Sequence, residues 1–226
     1  MPNFSIHINS DNSVIVEFSD DISTELTRYI LSAKNIIEHS GIRGFIEAVP
    51  AYNSLLVILE PSKFNADHVT EKLQTLLEGV EPISLEHSQK HVIPVCYDTS
   101  LAPDLENVAK HCQLTTDQVI QAHTSAEYPV YMLGFLPGFL YLGGLDKKIH
   151  CPRRDDPRSR IEAGSVGIGG DQTGIYPINS PGGWHIIGKT PIALLDISKS
   201  VPAIAKPLDT IQFKAISLEE FKQYEH

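Results

Sequence analysis

The sequence predicts an α+β protein in two parts, a small α/β domain over residues 1–88 and a β-rich domain over residues 89–226. Up to about residue 88, the hydrophobic residues follow the periods of strands and helices in turn. The second part has many short apolar runs separated by glycine and proline, which is typical of a closed or sandwiched β architecture. The composition, 42% hydrophobic and 20% charged, is that of an ordinary globular protein.

Local patterns in the first part predict the order β-α-β-β-α. The strands are predicted over residues 13–18, 44–49 and 54–60. The first helix is predicted to begin near Asp21 or Ser23, and Asn65 is a suitable N-cap for the second. A last strand at or just before residues 91–98 would complete a split βαβ, ferredoxin-like arrangement.

The second part is predicted to place helices at both ends of a set of strands. Two short helices, over residues 103–112 and 115–126, come first. A closing helix has the capping-box pair Ser217 and Glu220. The strands between them are predicted over residues 130–135, 165–168, 172–175, 185–187, 192–195 and 210–213.

The charge balance argues against two classes of partner. The formal net charge is -10, from 18 basic and 28 acidic side chains. An acidic surface repels phosphate backbones and anionic lipids, so we expect neither nucleic acid nor a membrane surface as a partner. Residues 128–145 carry no charge, but their glycines and prolines predict a buried strand and tight turn, not a membrane helix.

The three cysteines favour a reducing compartment. Cys96, Cys112 and Cys151 are odd in number and contain no C-x-x-C pair, which argues against both a disulfide framework and a zinc ribbon. The first residues also show no basic segment followed by an apolar run, as a signal peptide would. We therefore expect a cytoplasmic protein.

Residues 182–190, GGWHIIGKT, match the spelling of a phosphate-binding P-loop. A P-loop needs a pliant loop followed by a helix, yet Trp184 and two isoleucines occupy its variable positions. Pro191 also disfavours a helical conformation at Thr190. The segment is therefore predicted to be a β-strand, with Lys189 as a solvated lysine in a turn.

Residues 153–160 contain four arginines, at positions 153, 154, 158 and 160. One interpretation is a loop of internal salt bridges to the nearby acids Asp155, Asp156 and Glu162. The other is an anion subsite, because the guanidinium fork binds carboxylate or phosphate at two points. The sequence leaves both interpretations open.

Two histidines are candidates for acid–base chemistry, and no metal site is predicted. His123 lies on the second short helix, and His185 follows a glycine-rich segment that opens the backbone beside it. The pairs at residues 111–112 and 150–151 each place His beside Cys, but adjacent residues on a strand face opposite ways. We therefore expect no metal in this chain.

Three long segments resemble one known family. They are GFLPGFLYLGGLD (134–146), PRRDDPRSRIEAGSVGIGGDQTGIYP (152–177) and SPGGWHIIGKTP (180–191). The family is called allophanate hydrolase subunit 1, or KipI-like, and the resemblance extends over essentially the whole chain. Its members include the B-type subunit of bacterial 5-oxoprolinase, which the chain resembles most, the carboxyltransferase portion of urea carboxylases and an inhibitor of a histidine kinase.

The resemblance implies a fold, a reaction and partners. The second part would be a cyclophilin-like β-barrel. The chain would act as the B-type member of a multi-subunit, ATP-dependent 5-oxoprolinase that opens 5-oxo-L-proline to L-glutamate. Its partners would be a homologous second subunit of the C type and a third, metal-dependent subunit of the A type. ATP would be handled by the complex, not by a P-loop in this chain.

A site for this reaction needs an anion clamp, hydrogen-bond donors for a developing oxyanion, and an apolar wall. We expect His185, Ser165 and Gln172 to be the catalytic residues. The clamp would come from Arg153, Arg158 or Arg160, and further hydrogen bonds from Thr173 and the amides near Gly170. The wall would be formed by Phe135, Phe139, Tyr141, Tyr176 and Trp184.

Two other functions fit the same resemblance. One is a regulatory protein that docks on a sensor histidine kinase, which needs a surface and no catalytic residues. The other is a carboxyltransferase-type subunit of urea carboxylase or allophanate hydrolase. Glutamate release from 5-oxoproline distinguishes the leading hypothesis from both.

Overall fold

The computed structural model describes residues 2–86 and 88–224. The chain divides into two compact units, Met1–His87 and Ser88–His226. Each unit has its own hydrophobic core. None of the helices in the described residues combines the length and apolar character needed to cross a lipid bilayer.

The first unit is a four-stranded antiparallel sheet with two helices. Its strands are β1 (Phe4–Ser10), β2 (Ser13–Phe18), β3 (Phe45–Pro50) and β4 (Ser54–Leu59), and its helices are α1 (Thr24–Glu38) and α2 (Ala66–Leu77). The strand order is β1-β2-β4-β3. The side chains of Ser23 and Asn65 accept hydrogen bonds from the third residues after them, which confirms both as N-caps.

The strand predicted at residues 91–98 is real, but its assignment to the first unit is wrong. The ferredoxin-like arrangement is therefore not confirmed in the predicted form. The edge beside β2 is occupied by β1, whose residues Phe4–Ser10 were not predicted as a strand. Residues Lys90–Cys96 form β5, which pairs with two strands of the second unit. Local periodicity predicts a strand but not which sheet it joins.

The second unit is built around a closed barrel. Its helices are α3 (Leu105–Cys112), α4 (Thr116–Ser125) and α5 (Leu218–Gln223). Its further strands are β6 (Glu127–Leu133), β7 (Leu140–Leu142), β8 (Arg158–Ile161), β9 (Ser165–Gly169), β10 (Gln172–Ile175), β11 (Ser180–Gly182), β12 (His185–Lys189) and β13 (Thr210–Ile216). The order around the barrel is β10-β7-β6-β13-β5-β12-β9, while β8 and β11 form a separate pair.

Most of the predicted elements of this unit are confirmed, and one is wrong. The capping boxes at Thr115 and Ser217 are both present. The predicted strand over residues 192–195 does not form, because the segment between Pro191 and Pro202 turns and makes only the isolated bridge of Leu195 with Ala203. The short strands β7, β8 and β11 were not predicted, since three or four residues show too little periodicity.

A buried polar group joins α4 to the barrel interior. The His123 ring, fully buried, is 2.7 Å from the Tyr97 hydroxyl through Nδ1 and 2.9 Å from the Thr173 hydroxyl through Nε2. It stacks on Phe213 with ring centroids 4.4 Å apart. Burial lowers the pKa of His123 to about 3, so the ring is neutral at neutral pH. His123 is therefore a structural residue rather than an acid–base group.

Candidate functional site

A cavity of about 300 Å³ in the second unit is lined largely by aromatic rings, and we call it the aromatic pocket. Its lining residues are Phe135, Phe139, Tyr141, Arg153, Pro157, Tyr176, Pro181, Gly182, Gly183 and Trp184. All five aromatic residues predicted to form the wall are among them. One of the predicted arginines, Arg153, is there as well.

The rings of the aromatic pocket pack edge to face. The centroid of Phe139 lies 4.9 Å from that of Tyr141, 5.5 Å from that of Tyr176 and 5.6 Å from that of Trp184. Such offset and perpendicular contacts are the favoured geometry of aromatic pairs. A Cβ at Gly169 would lie 2.4 Å from the Trp184 indole, so the indole fits only against a glycine. The rigid barrel strands thereby fix the wall.

Phe135 differs from the other rings because it is 59% exposed. It lies in the turn between β6 and β7 with a φ of 63°, which is unusual for a bulky side chain. Its ring meets Phe139 edge to face at 5.5 Å. Residues 128–145 form a strand followed by a turn, as predicted, but Phe135, predicted as the last residue of a buried strand, lies in the turn and is exposed.

Two of the four arginines bind an acid that the sequence analysis did not select. Asp104, 1% exposed, accepts two hydrogen bonds from Arg158, at 2.7 and 2.8 Å. It accepts a third from Arg154 Nη1 at 3.0 Å and a fourth from the Ile186 amide at 2.7 Å. Both interpretations of the arginine cluster missed this partner. Arg158 is thus held against Asp104, which ties residues 154–158 to the start of β12.

The surroundings of Asp104 favour its charged form. Burial alone would raise the pKa of this carboxyl group, but the hydrogen bonds from Arg158 and the Ile186 amide, with the charges of Arg158 and Arg154, outweigh burial and lower it. Asp104 is therefore ionised at neutral pH. A carboxylate with four donors stabilises the folded form through each of them.

The remaining two arginines differ in position. Arg153 is exposed and, among the described residues, makes no ion pair, so its guanidinium group is available to a ligand. Arg160 is also exposed, but it lines neither the aromatic pocket nor the second cavity described next. Of the three arginines predicted to clamp a substrate, only Arg153 lines the aromatic pocket.

A second, more polar cavity of about 580 Å³ also includes Arg153 in its lining. Its other lining residues are Asn107, His111, Cys151, Pro152, Arg154, Asp155, Asp156 and His185. His185 follows Trp184 in sequence, and the two side chains line different cavities. The predicted catalytic histidine therefore does not lie in the aromatic pocket.

The His185 ring is largely enclosed. Its Nδ1 atom is buried without a hydrogen-bond partner, and the ring hydrogen-bonds the Pro152 carbonyl. Burial lowers the pKa of His185, and the Asp104 charge and the bond to Pro152 offset this only in part. The imidazole is consequently neutral at neutral pH.

The other predicted polar residues lie apart from the aromatic pocket. Ser165 and Gln172 begin β9 and β10 and line neither cavity. The Thr173 hydroxyl is in the barrel interior, where it meets His123 and donates to the Gly167 carbonyl at 3.0 Å. The Gly170 amide donates to the Cys151 carbonyl at 2.7 Å. The structure does not bring these four residues together around a ligand.

The segment with the P-loop spelling is strand β12, as predicted. Lys189 is not a free lysine in a turn, because its Nζ atom pairs with Glu162 at 2.6 Å. Within residues 2–86 and 88–224, no three His, Cys, Asp or Glu side chains are placed to hold a metal ion. All three cysteines are free thiols.

Comparisons with known proteins agree on one family. The family model described as carboxyltransferase domain, subdomain C and D, matches residues 4–205. The B-type 5-oxoprolinase subunit of Haemophilus influenzae is 49% identical over 213 residues, 93% of this chain and 97% of the relative. The protein of the same name from Bacillus subtilis is 39% identical over 231 residues, 98% of this chain and 96% of the relative.

A solved structure shows the same fold. The crystal structure of the Kluyveromyces lactis urea carboxylase superposes with a TM-score of 0.83, covering 98% of this chain and 22% of that chain. Its sequence is 20% identical, so the likeness concerns the fold alone. It supports a mixed α/β architecture that includes the closed barrel.

Proposed function

The chain belongs to the family of carboxyltransferase domains, subdomains C and D, and on that premise we propose that it is the B-type subunit of an ATP-dependent 5-oxoprolinase. The complex would hydrolyse 5-oxo-L-proline to L-glutamate. The observation that carries the proposal is the 49% and 39% identity to two B-type 5-oxoprolinase subunits, along nearly their whole lengths.

The aromatic pocket supports a ligand of this kind. 5-Oxoproline is a small ring that bears a carboxylate and a cyclic amide. Aromatic side chains pack against the faces and edges of such a ring, and Arg153, which pairs with no acid among the described residues, offers a planar fork to the carboxylate. A cavity of about 300 Å³ suits a ligand of this size.

Asp104 would position this site without touching the ligand. It anchors Arg154 and Arg158 on either side of the loop that carries residues 155–157, and it holds the Ile186 amide of β12. The residues next to these anchors, Arg153 and Trp184–His185, line the two cavities. A fixed scaffold of this kind reduces the entropy lost when a ligand binds.

Of the residues predicted as catalytic, His185 keeps a role in our proposal. Its neutral ring borders the second cavity, and its Nδ1 atom, which is buried without a partner, can accept a proton only from a group that reaches that atom. Ser165 and Gln172 line neither cavity, so we assign them no contact with the substrate.

We assign ATP to the assembled complex. ATP would supply the free energy for opening the cyclic amide, while this chain binds and orients the ring. The strand at residues 185–189 has no helix behind it to cradle a phosphate. The partners would be a homologous C-type subunit with its own cyclophilin-like barrel and an A-type subunit. Three free thiols are consistent with assembly in the cytoplasm.

The experiment is glutamate release from 5-oxoproline and ATP, measured with this chain alone and with candidate A- and C-type subunits. We expect turnover only in the mixture. Arg153→Gln is expected to raise KM about tenfold, the usual effect of one lost charged hydrogen bond, and Arg160→Gln to change it much less, because Arg160 lines neither cavity. No glutamate from a mixture shown to be assembled would contradict the proposal and favour urea carboxylation or kinase inhibition.

A further inference from the structure

The Tyr176 hydroxyl is a polar group held at a fixed place in the wall of the aromatic pocket. The Tyr176 amide donates to the Ser165 carbonyl at 2.9 Å, and its carbonyl accepts from the Gly164 amide at 2.7 Å. The side chain is 2% exposed and meets Phe139 and Trp184 edge to face. Both the backbone and the ring are therefore fixed before a ligand arrives.

A glycine packs closely against this hydroxyl. A Cβ at Gly182 would lie 2.5 Å from the Tyr176 oxygen, closer than any side chain could approach. Gly182 itself lines the aromatic pocket. A side chain at position 182 would therefore displace the hydroxyl from its place in the pocket wall.

The Tyr176 hydroxyl can donate a hydrogen bond. The Trp184 backbone amide hydrogen-bonds to the Tyr176 oxygen, which uses that oxygen as an acceptor. Among the described residues, no group accepts the hydroxyl proton. Burial raises the pKa of Tyr176 to about 12, although the Trp184 amide and the charges of Arg153 and Arg158 act against this. The group therefore remains a neutral donor at neutral pH.

The pocket consequently offers two polar groups of different chemistry within an apolar wall. One is the neutral donor of Tyr176, and the other is the guanidinium group of Arg153, which has no ion-pair partner among residues 2–86 and 88–224. A carboxylate pairs preferentially with the guanidinium group, whereas an uncharged carbonyl oxygen accepts a hydrogen bond from a neutral donor.

We infer that the Tyr176 hydroxyl donates the hydrogen bond that recognises the ring carbonyl oxygen of a small cyclic amide, while Arg153 pairs with the carboxylate of the same ligand. The inference rests on the proposed function for the identity of the ligand. It makes Tyr176 the residue that selects a cyclic amide over a ring without a carbonyl group. A site built to hydrogen-bond a substrate group rejects analogues that lack it.

The test uses Trp184, the single tryptophan of the chain, as the reporter. Its indole lines the pocket, so ligand binding to the full-length chain changes its fluorescence. The ligands are 5-oxoproline, cyclopentanecarboxylate, which keeps the ring and carboxylate but has no carbonyl oxygen in the ring, and 2-pyrrolidinone, which keeps the cyclic amide but has no carboxylate. The variants are Tyr176→Phe and Arg153→Gln, and Tyr224→Phe, which removes an exposed hydroxyl, is the control.

We expect Tyr176→Phe to weaken 5-oxoproline about tenfold, the usual effect of one hydrogen bond, and to leave cyclopentanecarboxylate unchanged. Arg153→Gln should weaken both carboxylates and spare 2-pyrrolidinone. Tyr224→Phe should alter none of the three affinities. This pattern would separate recognition of the carbonyl oxygen from a general loss of pocket structure, which weakens all ligands alike.

Equal effects of Tyr176→Phe on 5-oxoproline and cyclopentanecarboxylate, or no effect on either, would overturn the inference. So would the absence of any saturable response of the unmodified chain to 5-oxoproline. The proposed function is judged separately by glutamate release. If the assembled complex releases glutamate but Tyr176→Phe affects 5-oxoproline and cyclopentanecarboxylate equally, the proposed function stands and the inference is wrong. If Tyr176→Phe weakens only 5-oxoproline but the assembled complex releases no glutamate, the inference stands and the proposed function is wrong.

Discussion

Asp104 is the residue whose replacement is expected to destabilise the second unit most clearly. It has four hydrogen bonds and 1% exposure. In Asp104→Asn the shape is kept, but the charge is lost and an amide NH₂ group faces Arg158 or the Ile186 amide. Because Asp104 makes no capping bond to α3, the helix start does not contribute to the effect.

The expected loss of stability comes from the two arginines, Arg154 and Arg158, that are left without their carboxylate partner. Removing one partner of a buried ion pair costs about 3–5 kcal/mol. Arg154 and Arg158 keep 25% and 28% of their side-chain area exposed, so water can partly replace the carboxylate, and the cost lies at or just below the lower limit. We expect Asp104→Asn to lower the free energy of unfolding by about 2–3 kcal/mol, and Asp104→Ala by about 3 kcal/mol or more, since the Ile186 amide then loses its acceptor.

The assay is urea unfolding followed by the fluorescence of Trp184, which reports on the second unit alone. Glu162→Gln is the matched control, because it removes an exposed carboxylate that pairs with Lys189 at the end of the same strand. An exposed pair contributes at most about 1 kcal/mol. Equal and small effects of Asp104→Asn and Glu162→Gln would refute the argument.

The lowered pKa of Asp104 predicts that its contribution to stability depends on pH. Its pKa is lowered in the folded form, so its stabilisation is complete above the unfolded pKa of about 3.9 and is lost as the pH falls through the lower folded value. The difference in stability between the unmodified chain and Asp104→Asn should be constant from about pH 5 to 8 and shrink below about pH 4. A difference that grows in acid would contradict the assignment.

Two further substitutions test the packing of the second unit. Gly182→Ala places a methyl group against Tyr176, so it should destabilise the protein by about 1–3 kcal/mol and abolish the fluorescence response to 5-oxoproline. Gly79→Ala is the control, because its new methyl group would have nothing within 4 Å, and it should leave the stability and the fluorescence response unchanged. Thr173→Val keeps the shape but leaves His123 without one partner, and urea unfolding should show a loss of about 1–3 kcal/mol. A Thr173→Val variant as stable as the unmodified chain would contradict the role given to the buried hydrogen bonds.

Local sequence was sufficient for most elements of the fold. Alternation in Ser13–Phe18 and Ser54–Leu59 predicted both strands, and the N-caps at Ser23 and Asn65 were recognisable from residue type. The sheet that each strand joins was not predictable in this way. Residues Lys90–Cys96 were correctly predicted as a strand, yet their parallel partner, Thr210–Ile216, lies at the far end of the chain.

The candidate site shows the same division between local and distant information. The five aromatic residues predicted to form the wall do line one cavity, while their contact with a ligand stays a prediction. The partners of the arginines were sought among neighbouring acids, but Arg154 and Arg158 bind Asp104, which is 50 and 54 positions away. Nothing in the sequence around Asp104 distinguishes it from an ordinary helix N-cap. Its partners could be found only from the fold.

The position of β13 between β5 and β6 has a consequence for the order of folding. The last barrel strand along the chain is the neighbour of the first, and the two pair in parallel from Thr210 opposite Lys90 to Ile216 opposite Cys96. Until Thr210–Ile216 is available, β5 and β6 have no strand between them and the barrel cannot close. A ribosome would therefore release nearly the entire second unit before its closure begins, and a nascent chain halted before residue 210 would expose two unpaired strand edges to other chains.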